Sequence, residues 1–126
     1  MAVAINGTSG LTFNDSTTIT SGYSGAKAWV NYNATGTPAI RASYNVSSVV
    51  INATGAHQIN FTTPFADVNY SFVATNGNDG ANRSFVQFDG TNNTIYGEQL
   101  VGSIKFYVGG TAGLYNVPYI WAAFFR

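Results

Sequence analysis

The chain has 126 residues, a formal net charge of zero, five Lys+Arg, five Asp+Glu and no cysteine. Charged residues make up 8% of it, against roughly 25% in an average soluble domain, so the clustered cations of a nucleic-acid binder are missing. Without cysteine neither a disulfide framework nor a Cys-ligated zinc site can form, and 45% apolar residues at zero net charge argue against disorder.

In chain order, residues 1–25 come first and differ from the rest. Val3, Ile5, Leu11, Phe13 and Ile19 stand isolated among Asn, Gly, Ser and Thr, too few to bury a core face. The short alternations Val3-Ile5 and Leu11-Phe13 suit an extended arm that pairs with another chain, with Ile5, Leu11 and Phe13 as its contacts. The start lacks a basic region before its apolar residues, so no secretory signal is expected. No apolar run approaches the ~18–20 residues of a membrane-spanning helix, so no membrane insertion is expected. The lack of cysteine suits assembly in a reducing cytoplasm.

Residues 26–126 read as one all-β head domain. Apolar and polar residues alternate over 27–33, with Ala28, Val30 and Tyr32 on one face and Trp29 and Asn31 on the other. Over 39–46, Ile40, Ala42, Tyr44 and Val46 share a face. Such alternation describes half-buried strands. The segments 47–51, 57–62, 70–75, 84–89, 103–108 and 119–125 read the same way. Gly, Asn and Asp separate them and supply positive φ at low steric cost. Eight short strands predict an antiparallel β-sandwich, jelly-roll-like, with an extended N-terminal arm. The tetrapeptide Asn-Ala-Thr-Gly occurs at 33–36 and 52–55, and is read as two hairpins sharing one turn chemistry.

Aromatics reach 15%. Phe61, Phe65, Phe72, Phe85, Phe88, Phe106, Trp29 and Trp121 are expected to fill the sandwich. Tyr23, Tyr32, Tyr96, Tyr107, Tyr115 and Tyr119 suit positions with one end packed and one end wet. Trp29, Arg41 and Trp121 are candidate structural or interface residues.

Catalytic patterns do not assemble. His57 is the sole histidine, beside a turn, and is expected at a strand edge; no nucleophile elbow accompanies it. Asp15, Asp67, Asp79, Asp89 and Glu98 are spread singly. Residues 76–80 carry oxygen ligands but not the spaced acids of a calcium loop. No glycine cluster is followed by the lysine of a phosphate loop. The sequons at Asn33, Asn45, Asn52 and Asn60 follow from composition. No enzyme activity, cofactor or metal is expected.

The segments 27–37 and 40–48, continuing through Gly55, residues 59–65 and 67–70, resemble a recurring segment of tailed-bacteriophage tail-fibre proteins. The opening residues 5–13 resemble the start of phage fibre segments. The resemblance lies mostly in residues 26–75. It implies a homotrimeric virion protein with a β-sandwich head, on the particle exterior and contacting the host cell surface, assembled in the host cytoplasm. Arg41 would then be a partly buried cation paired with Asp67 or another acid. Fibres usually carry a long docking module, whereas here the arm precedes the head directly. A capsid decoration (cement) protein bridging capsid subunits is therefore the second reading, and a carbohydrate-binding or carbohydrate-active domain the third. In the fibre reading a host glycan or protein is met by loops near 77–81, 90–93 and 109–116, with Asn78, Asn92, Asn93, Tyr96 and Tyr115 as contacts.

Overall fold

The computed structural model describes residues 25–77, 84–88, 97–110 and 113–126, together with the strand backbones of 4–6, 10–12 and 18–19. The fold is all-β and antiparallel, as the alternation predicts. Strands β1 (Ala4–Asn6), β2 (Gly10–Thr12) and β3 (Thr18–Ile19) form a small sheet in that order. Asn6 pairs with Gly10, and Leu11 with Ile19. Within residues 1–25 these three short strands pair with one another.

The head comprises β4 (Ala28–Asn33), β5 (Ala39–Tyr44), β6 (Val46–Ala53), β7 (Ala56–Phe61), β8 (Ser71–Gly77), β9 (Ser84–Gln87), β10 (Glu98–Gln99), β11 (Ser103–Gly110), β12 (Gly113–Leu114) and β13 (Tyr119–Phe125). The eight predicted head strands are all present, with ends within two residues. One sheet runs β5-β4-β13-β8; the other runs β10-β11-β7-β6, with β9 and β12 also on β11. Tyr107 pairs with both Ala56 of β7 and Gln87 of β9, so β9 lies on the β11 edge opposite β7. Both Asn-Ala-Thr-Gly segments fall in hairpin connections, and Gly36 and Gly55 share a positive φ of 65° and 71°. At Gly55 a Cβ would stand 2.5 Å from the Val108 carbonyl oxygen, so no side chain fits there.

Facing positions of the two sheets form the core. Ala28, Val30, Tyr32, Ile120, Ala122 and Phe124 meet Ile59, Phe61, Ile104, Phe106 and Val108. The Phe61 ring packs edge-on against Phe124 across the sandwich, centroids 5.0 Å apart, and against Phe65 at 4.8 Å. Burial of each such ring is worth about 1.5–3 kcal/mol.

Several side chains depart from expectation. Trp29, Trp121 and Phe85 are exposed rather than core-filling, whereas Phe61, Phe65 and Phe106 are buried and Phe72 and Phe88 partly so. Trp29 is out of phase with Ala28, Val30 and Tyr32, which take the inward positions of its strand. Tyr32 is fully buried, not amphipathic. All six residues of β5 are exposed, Ile40 and Tyr44 included. As the edge strand of its sheet it flanks β4 on one side only. A bulge between Asn31 and Tyr32 also inserts Arg41 as an extra residue and shifts its register.

Asn45 turns the chain from β5 in one sheet to β6 in the other, with φ at 54°. Its Nδ2 donates to the carbonyls of Lys27 and Thr63, and its Oδ1 accepts the Thr63 N–H at 2.7 Å. Asparagine tolerates the left-handed region better than most residues. Asn45→Ala is expected to cost about 2–4 kcal/mol in chemical unfolding, through lost hydrogen bonds and backbone strain. Asn45→Gly, which relieves the strain alone, is expected to fall about 1 kcal/mol short of that loss.

Candidate functional site

Alternation gives β4 and β13 two faces with opposite tasks. The inward face packs the core; the outward one carries Trp29 and Asn31 from β4, and Tyr119, Trp121, Ala123 and Phe125 from β13. Register sets Trp121 opposite Asn31, and Trp29 between Ala123 and Tyr44. From β8, Val73 and Thr75 complete the surface. On this face lies an open concavity of about 430 Å³, lined by Trp29, Asn31, Ala42, Val73, Thr75 and Trp121 among others.

At one end of this face the Tyr119 and Trp121 rings are stacked, 5.9 Å between centroids and 10° from parallel. The Arg41 guanidinium carbon stands 4.6 Å from the Tyr119 ring centre, and its Nη1 donates to Asn31 Oδ1 at 3.4 Å. The cation therefore rests on an aromatic face, with no carboxylate beside it among the described residues. The pairing expected between Arg41 and Asp67 does not form. Asp67 instead pairs with Arg126, and accepts the Asn69 N–H at 2.8 Å. That backbone bond, followed by the Arg126 guanidinium, holds the Asp67 carboxyl below its ordinary range.

No family model, curated protein or solved structure matches the chain.

The remaining candidates distribute as follows. Trp29 and Trp121 come together on the outer face. Tyr115 is partly buried against the core, its hydroxyl enclosed without a hydrogen-bond partner among the described residues; in this chain it sits in the packing rather than at a loop tip. The backbones of Ile5 and Leu11 pair with each other. Phe13, Asn78, Asn92, Asn93 and Tyr96 lie outside the described residues. Two contributors escaped the sequence reading, Val73 and Tyr119 as partners of the tryptophans. Their signal is the i, i+2 spacing of Tyr119 and Trp121, which puts both rings on one face.

A second concavity, of about 530 Å³, lies between Lys27, Tyr44, Asn45, Pro64, Phe65 and Arg126. Lys105 and Glu98 form the other ion pair among the described residues, 2.6 Å apart across β10 and β11.

His57 is fully buried, not at a strand edge. Its ring faces inward from β7 beside Phe106, and Nδ1 lies 2.7 Å from the Tyr32 hydroxyl. Burial keeps that phenol protonated, so we assign it as donor, which places the imidazole proton on Nε2. Nε2 itself is buried without a hydrogen-bond partner among the described residues. Loss of hydration lowers the imidazole pKa to about 4 from its ordinary 6.5, the nearby Asn116 side chain opposing this only in part. A general base would need access to substrate, and this ring has none.

Because the folded state binds fewer protons than the unfolded one between pH 6.5 and 4, stability is complete above that window and falls on acidification through it. The full loss is expected to be about 3 kcal/mol, seen in denaturant midpoints at pH 7.5 and pH 4. His57→Gln is expected to flatten that slope. Asp67 acts in the same direction but at lower pH, as its own carboxylate is protonated. Arg41→Ala, which removes only an exposed ring contact and a long hydrogen bond, is expected to change unfolding free energy by less than about 1 kcal/mol in the same assay.

Proposed function

We propose that this chain is a non-enzymatic structural protein of the bacteriophage virion, of tail-fibre or tip type, which forms a homotrimer on the particle exterior and contacts the host cell surface. The observation that carries the reading is the outer face of the β4–β13 pair. It presents two tryptophans, a stacked tyrosine and a valine to solvent on a rigid sheet, with Arg41 as its one charge among the described residues. Such surfaces mark contact with other macromolecules. The resemblance of residues 26–75 to tail-fibre segments supplies the setting. Asn- and Gly-rich connections at the ends of the strands supply polar loops on a scaffold, where recognition usually lies.

The test is location. A tagged copy built into particles and labelled for electron microscopy is expected at the tail tip, and its loss is expected to abolish adsorption while leaving capsids intact. Label spread over the capsid lattice, with fragile capsids on deletion, would replace the fibre by the cement reading. Release of sugars from host cells by the purified protein would replace both by a carbohydrate-active one.

A further inference from the structure

The outer sheet face has the properties of a surface that is covered in the working protein. Trp29, Tyr44, Val73, Tyr119, Trp121 and Phe125 are each between 37% and 62% exposed on it. Taking about 150–250 Å² for each whole large side chain, these six alone expose roughly 600 Å² of mostly apolar surface. That is the top of the range for the largest patch on a monomer, about 300–600 Å². It also approaches the roughly 800 Å² that each partner contributes to a stable interface. We propose that this face is where copies of the chain join, so that within the homotrimer inferred above each subunit buries its β4–β13 surface against a neighbour.

Three observations single out a second copy over other occupants. The face carries both halves of a head-to-tail fit, projecting rings and an open hollow of about 430 Å³, so that a ring of one subunit can enter the hollow of the next around a three-fold axis. It also lacks any acidic residue on β4, β5, β8 or β13, and its one cation among the described residues is held over the Tyr119 ring at one end. Two copies can therefore meet without burying an unpaired charge in the centre. The hollow is lined mainly by apolar groups, its hydrogen-bonding side chains being Asn31, Thr75 and the indole N–H groups of Trp29 and Trp121, so most of its surface is best covered by another apolar surface.

The mode of contact follows from β5. It is the sheet edge and is exposed along its length, which would ordinarily invite edge-to-edge pairing. The bulge at Arg41 interrupts that edge. Copies therefore meet face to face, with β5 extending the buried patch at its rim.

Both tryptophans of the chain lie on this face, so their fluorescence reports on it directly. Light scattering of the purified full chain at micromolar concentration is expected to give about 40 kDa, three times the 13.4 kDa chain mass, with blue-shifted emission that moves to the red on dilution. Val73→Glu and Thr75→Lys place charges at exposed positions that the isolated subunit tolerates. Each is expected to reduce the mass to 13.4 kDa and shift emission to the red at all concentrations, with an unchanged far-ultraviolet circular dichroism spectrum. A wild-type chain that stays a monomer overturns this proposal and the trimer together, whether its tryptophans are open or shielded by its own N-terminal segment. An oligomer indifferent to both variants overturns the face and leaves the trimer standing. Saturable quenching of the tryptophans by host-surface polysaccharide, with no change in mass, also overturns it and assigns the hollow to a glycan.

Discussion

Two strands side by side, β4 and β13, tie the interior of this protein to its outer surface. Their inward residues include Val30, Tyr32, Ile120 and Phe124, all essentially without solvent access. Their outward residues include Trp29, Tyr119 and Trp121. Because side chains alternate with a period of two, neither set can move without the other. The packing that seats Phe124 on Phe61 also fixes the spacing of the two tryptophans, and with it the hollow between them. The surface is as rigid as the core beneath it.

The strands of the head were legible in the sequence, because alternation and Gly/Asn punctuation are local signals. The phase of each strand was less so. In residues 28–33 both faces offer a bulky aromatic, Trp29 on one and Tyr32 on the other. Tyr32 faces inward because its hydroxyl finds His57, 25 positions away, a partner that no local window reveals. The same blindness placed His57 at an edge. Arg41 misled for another reason: in so charge-poor a chain an acidic partner looked necessary, whereas an aromatic ring and an amide oxygen serve an exposed guanidinium. The tryptophans were grouped with the core rings although both are exposed, since composition cannot distinguish burial within a subunit from exposure on its face.

Scarcity of charge has consequences on both sides of the sheet. Inside, the buried pair Tyr32 and His57 is neutral, a phenol donating to an uncharged imidazole. Among the described residues the ion pairs Lys105–Glu98 and Arg126–Asp67 are both partly exposed, the kind that contributes little to stability. Cohesion therefore rests on apolar packing and on side-chain amides. Asn45 and Gln99 show how far amides replace ions. Asn45 bridges two backbone segments at the sheet crossing, while Gln99 donates from one amide nitrogen to the carbonyls of both Val68 and Tyr70.

The pairing of β13 with β4 also bears on how the chain is made. Ala28 is the partner of Phe124, 96 positions later, and β13 then separates β4 from β8. During synthesis β4, β5 and β8 leave the ribosome well before the strand that belongs between them. Until it arrives, the inner faces of β4 and β8 have no central strand to join them, and the nascent chain exposes apolar surface with few charges to keep neighbours apart. Contacts this distant also slow the search for the native pairing. The centre of this sheet is supplied after both of its neighbours, so the sheet closes only once a strand distant in sequence has found its place between them.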